Sequence, residues 1–185
     1  MNLPASHAAA LEWTRRTVNG IGADQWSLPT PCAGWDVRFL LNHVVAGNEW
    51  VHELVGGRTI EEVGDRLDGD RLGADPAGAY AASAVLADEA FSTPGAMEEP
   101  CAVSYGPVPG EVYCGHRLID VLVHGWDLAK ATSQDASLPE DLCRTCLDVI
   151  EPQRDVLIGS GMFGAPVPCS SDDPRTVLLT TLGRR

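Results

Sequence analysis

The chain has 185 residues, 44% apolar and 21% charged, which suits one domain, residues 1–185, with a real hydrophobic core. Its formal charge is −13 and no basic cluster stands out, which argues against nucleic acid and anionic membranes as partners. No apolar run approaches the roughly 20 residues of a membrane span, and the opening "MNLPASHAAALEWTRR" lacks the basic start and apolar centre of a secretion signal, so a cytoplasmic protein is expected.

In chain order, a first helix is predicted from Pro4 to Asn19, ending at the glycines of "NGIGA". The turn-forming loop "SLPTPCAGWD" leads into a second helix that starts near Trp35–Asp36 and runs to Val55, with Asp36 as N-cap or first-turn acid. The glycine-broken "TIEEVGDRLDGDRLGAD" reads as a loop or short helix. A third helix follows from Pro76 to Phe91, with proline at its start. "STPGAMEEPCAVSYGPVPGE" reads as an extended connection with a short strand around Cys101–Ser104. The fourth helix spans Glu111 to Thr132. The fifth begins at Pro139 and continues past Ile150, with Pro152 placed to kink it. A proline-rich loop and a last short helix from Pro174 close the chain. Long helices joined by variable loops predict an all-α bundle with at most a minor β element.

The helical faces narrow the search for chemistry. On the second helix Leu40, Val44, Gly47, Val51 and Leu54 share one side. His43 falls with them and is expected to point inward, with Gly47 leaving room beside its imidazole. The fourth helix is apolar almost all round, which makes it central, yet Arg117, Asp120, His124 and Asp127 share one of its sectors. Asp120 and His124 are four residues apart and so lie one turn apart on one face. An i, i+4 carboxylate–imidazole pair with a third donor, His43, from a facing helix has the makings of a metal site in a bundle. Three N/N/O donors leave positions open, as catalytic sites do. The alternative is an inward histidine satisfied by a carbonyl or carboxylate, with Asp120 and His124 as a simple ion pair.

Six cysteines are present, among them Cys143 and Cys146 in "CRTC". No second C-x-x-C or nearby Cys/His pair completes a zinc site, so these two read as incidental helical cysteines.

"TPCAGWDVRFLLNHVVAGNEW", "RLIDVLVHGWDLAKAT" and "MFGAPVPCSSDDPRTVLLTTLGR" together resemble actinobacterial proteins of the DinB/YfiT-like superfamily. More narrowly, they resemble the group related to the N-terminal domain of mycothiol-dependent maleylpyruvate isomerase. The resemblance implies a DinB-like four-helix bundle holding a divalent metal, zinc or nickel, through His43, Asp120 and His124. It implies a small-molecule substrate with mycothiol as cosubstrate, and it admits a homodimer.

The leading expectation is a metal-dependent thiol transferase or isomerase. One alternative is a hydrolase, lyase or cyclase that uses metal-bound water; another is a non-catalytic metal- or ligand-binding bundle. Arg117 is read as a salt bridge to Asp120 in preference to a substrate-carboxylate contact, and Asp127 as a carboxylate that orients a ligand imidazole or as an ordinary helix-surface acid. Cys32 is expected to pack under the bundle end rather than act as a nucleophile, and Trp35 and Trp126 are expected to be core anchors, with a pocket wall as the alternative for either.

Overall fold

The structure, a computed structural model, describes residues 2–159 and 163–185. They group into two compact units that divide after Asp135.

The first unit carries α1 (Leu3–Asn19), α2 (Val37–Val55), the one-turn α3 (Ile60–Val63), α4 (Pro76–Ser92), a hairpin of β1 (Pro100–Val103) and β2 (Gly106–Pro109), and α5 (Gly110–Ala131). Its starts follow capping chemistry. Asn2, Asp36 and Asp75 each accept a backbone N–H of the first turn of α1, α2 and α4, and Thr59 and Glu62 form a reciprocal capping box on α3. The four long helices make a ring in which α1 packs on α5, α5 on α2, α2 on α4 and α4 on α1. This is the expected all-α bundle with a minor β element.

α5 is the central helix. From Tyr113 to Ala129 every residue is buried except His116 and Asp120. Close approach to α1 is set by Gly125, where a Cβ would fall 2.9 Å from the Trp13 ring. Thr14 adds a bond across the same seam, its Oγ1 donating to the Val121 carbonyl at 3.0 Å. The predicted strand near Cys101 is β1. Its antiparallel partner, Gly106–Pro109, was not expected, because Pro107 and Pro109 mask a strand of four residues.

The second unit, from Ala136, carries α6 (Glu140–Ile150), α7 (Arg154–Gly159) and α8 (Pro174–Thr181), with a 3-10 turn at Glu151–Gln153. Pro152 therefore interrupts the predicted fifth helix, as its missing N–H demands. Any continuation of that helix past Gly159 falls on residues 160–162, outside the described residues. α6 packs on α8, and Cys143 and Cys146 are buried free thiols in that core. Burial pushes the Cys143 thiol up to about 12 and Cys146 upward as well. Both lack the exposure that marks reactive cysteines.

Candidate metal centre

Three side chains meet where α2 faces α5. His43 Nε2 lies 3.3 Å from Asp120 Oδ1, and His124 Nε2 lies 3.4 Å from the same oxygen. One donor atom from each of the three lies within 4.8 Å of the others. Those separations are long for charge-assisted hydrogen bonds, which run about 2.7–2.9 Å. They equal the edge of a tetrahedron built on metal–nitrogen distances of about 2.0–2.1 Å, which is roughly 3.3–3.4 Å. Two imidazole nitrogens and one carboxylate oxygen are also a donor set that zinc and nickel accept. The residues present fit a divalent ion.

Two of the three donors, Asp120 and His124, are aimed from behind. Arg117 Nη1 donates to Asp120 Oδ2 at 2.8 Å, so one carboxylate oxygen is committed and Oδ1 faces the two histidines. Arg117 Nη2 donates to Asn48 Oδ1 at 3.1 Å, and Asn48 in turn donates to Ser83 Oγ at 3.2 Å. Arg117 is thus engaged by the protein itself, the salt bridge read from its spacing. The guanidinium lies beside Gly47, where a Cβ would sit 2.6 Å from its Cζ. Gly47 therefore makes room for Arg117, which corrects the expectation that it makes room for the His43 imidazole.

His124 Nδ1 donates to Asp127 Oδ2 at 3.0 Å, which fixes the ring direction and turns Nε2 toward Asp120. Asp127 is fully buried and orients the ring, rather than lying on the helix surface. The same Oδ2 accepts the Cys32 thiol at 3.2 Å, with Cys32 Sγ 3.8 Å from His124 Nδ1. Cys32, His124 and Asp127 thus form a second cluster of metal-ligand type. It meets His124 at Nδ1, on the far side of the ring from Nε2, and that nitrogen is already committed to Asp127. This second group supports the first. Cys32 is thereby part of the site, a correction to its expected place under the bundle end.

Trp35 closes one side. Its ring centroid lies 5.1 Å from His43 and 6.2 Å from His124. It is a wall of the site, whereas Trp126 is a core residue. The loop that carries Cys32 and Trp35 is held by Thr30, whose N–H and Oγ1 both donate to the Trp35 carbonyl, at 3.0 and 2.9 Å. Only tertiary contact reveals these two residues, although both lie in the quoted "TPCAGWD" block.

Burial opposes charge on Asp120, but Arg117, His124 and His43 outweigh it and hold the carboxyl well below the usual carboxylate range. Burial likewise disfavours a charged His124, yet the Asp120 charge and the bonds to Asp120 and Asp127 hold it well above an ordinary histidine. The inward expectation for His43 holds only in part: its side chain is 39% exposed, against 19% for Asp120 and 8% for His124. The cluster is open to solvent on the His43 side.

A helical bundle carrying an open His/Asp/His cluster across two facing helices is DinB-like in architecture. The family profile described as the mycothiol maleylpyruvate isomerase N-terminal domain matches residues 7–129, and the chain belongs to that family. Two Mycobacterium tuberculosis proteins, the uncharacterized protein MT0763 of strain CDC 1551 / Oshkosh and the uncharacterized protein Rv0738 of strain ATCC 25618 / H37Rv, are each 34% identical over 169 residues. The match covers 91% of this chain and 86% of theirs. Among solved structures, the mycothiol-dependent maleylpyruvate isomerase superposes with a TM-score of 0.59 at 16% identity. A histidine-to-alanine mutant of that enzyme gives 0.62. These likenesses cover 77% of this chain but 65% of the isomerase, so the chain spans less than two thirds of that enzyme's length. At that identity they show the fold. No helix among the described residues is long and apolar enough to cross a membrane.

Proposed function

We propose that the chain is a metal-dependent enzyme that transfers or isomerises a small metabolite with the help of mycothiol, working in the cytoplasm. His43, Asp120 and His124 are the residues that would hold the ion, zinc first and nickel second. When bound, such an ion lowers the pKa of a thiol it holds and so supplies a thiolate, the nucleophilic form of sulfur. The observation that carries this reading is that both imidazole nitrogens lie 3.3–3.4 Å from Asp120 Oδ1, with all three donor atoms within 4.8 Å of one another and with the other oxygen of Asp120 and the other nitrogen of His124 each committed elsewhere.

The chain's own residues have distinct tasks. Arg117 keeps Asp120 ionised and fixes which oxygen it presents. Asp127 fixes the His124 tautomer and ring direction, and Cys32 holds the entering loop to Asp127. Trp35 excludes water from one side of the two imidazoles, where a lower local dielectric strengthens every charge interaction. The exposed edge of His43 leaves a path for a small molecule.

Elemental analysis of protein purified without a histidine-tag column tests the reading. Wild type is expected to retain a divalent ion, and His43→Ala, Asp120→Ala and His124→Ala to lose it. A metal-free wild type that folds normally overturns the proposal and leaves the ion-pair reading. Turnover that persists with no thiol present would move the site to the hydrolase, lyase or cyclase class.

A further inference from the structure

Few large hydrophobic side chains among the described residues stay mostly in water, and one of them, Phe39, stands beside the metal-type cluster. Phe39 and His43 are four residues apart on α2, so they lie one turn apart on one face, about 6 Å along the axis. Trp35 touches both, its ring centroid 4.8 Å from Phe39 and 5.1 Å from His43. The neighbouring stripe of α2 is covered by the loop before α4. There Arg38 Nη2 donates to Asp70 Oδ2 at 2.9 Å, and Asn42 Nδ2 donates to the Gly69 carbonyl at 3.0 Å. The Phe39–His43 stripe stays open: Phe39 is 56% exposed, and His43 is the most exposed of the three donors. The open edge of the cluster is thus bordered by an aromatic ring that is itself more than half in water.

We propose that Phe39 is a specificity-determining residue of this site, its ring packing against an uncharged apolar ring on a small molecule whose metal-binding head lies at the His43–Asp120–His124 cluster. This rests on the metal-site reading above and concerns the arm of the ligand, not its reacting end. A phenyl ring gains by leaving water, and a ring-on-ring contact adds to that gain when the pair is offset or edge-to-face. Trp35 meets Phe39 at 62°, so the two form a corner rather than a flat sheet. A flat group seated on Phe39 turns its edge toward Trp35. Charge also selects an uncharged arm. Arg38, next to Phe39 in the chain, and Arg117, behind the cluster, are each occupied by a carboxylate of the protein itself. On a chain of net charge −13, an anionic arm at this rim would meet the general field without either cation to receive it.

Acetohydroxamate and phenylacetohydroxamate test this, because they share a zinc-binding head and differ by an apolar ring. Calorimetric titration of the zinc-loaded full chain should show the ring-bearing compound binding about tenfold tighter. Phe39→Ala should abolish that ratio while zinc content and acetohydroxamate affinity stay constant, and Phe39→Tyr, which keeps the ring, should retain most of it. Equal affinities in wild type, or a ratio that survives Phe39→Ala, overturn the inference and leave the metal reading standing. A wild type that sediments as a dimer and becomes a monomer in Phe39→Ala gives the ring to a second copy of the chain, which also overturns it. A wild type that takes up no zinc overturns the metal reading, and the inference falls with its anchor.

Discussion

Two buried histidines in one bundle have opposite fates. His124, on α5, has both ring nitrogens beside carboxylates and is held well above an ordinary histidine. His7, on α1, is fully buried with neither nitrogen hydrogen-bonded, its ring edge-on to Phe91 at 5.0 Å. Burial, with a smaller push from Arg117, lowers it to about 3. Burial is common to both, so the partner decides the outcome. Arg117 acts on each in turn: it secures the Asp120 charge that raises His124, and its own charge lowers His7.

Removing that shared cation should give the largest effect. Arg117→Met leaves Asp120 without its guanidinium, and breaking a mostly buried ion pair costs about 3–5 kcal/mol. Since Asp120 still touches water, a loss of about 3 kcal/mol in urea unfolding is expected. A loss under about 1 kcal/mol would mean that Arg117 braces little.

Acid should then single out His7. Between its ordinary value of 6.5 and about 3, the unfolded chain binds a proton that the folded chain refuses. Stability therefore falls as the pH drops through that window, by about 1.4 kcal/mol per pH unit. His7→Phe, which keeps an aromatic ring against Phe91, should remove that slope when unfolding is followed at pH 6.5, 5.5 and 4.5. An unchanged slope would place the acid sensitivity elsewhere.

The smallest effect sharpens the His124 side. Asp127→Asn keeps the shape but weakens the hold on the imidazole, and such supporting carboxylates are worth about 10–100-fold in metal affinity. Competition with a zinc chelator measures this directly, and an unaltered affinity would remove Asp127 from the site.

The sequence carried the chemistry of this bundle further than its packing. The four-residue spacing of Asp120 and His124, and the place of His43 on its wheel, were readable because helical periodicity is local. So were the cap Asp36 and the proline start of α4. Gly47 was misassigned because a wheel shows which side a glycine faces and not which neighbour fills its space; Arg117, 70 positions along the chain, does. Cys32 and Trp35 sit on a loop, which has no period to read. His7 carries a local signal, four residues after Leu3 and four before Leu11, both buried, but its lack of partners is a tertiary fact.

The guanidinium seated against Gly47 has a mechanical consequence. α2 and α5 are keyed together there like a pin in a slot, since any side chain at position 47 would meet the guanidinium, a Cβ falling 2.6 Å from its Cζ. The alignment of His43 with its two counterparts is thus inherited from a lock one turn away. Grafting the three donors onto another scaffold without that lock would copy the teeth and leave out the hinge pin that makes them mesh.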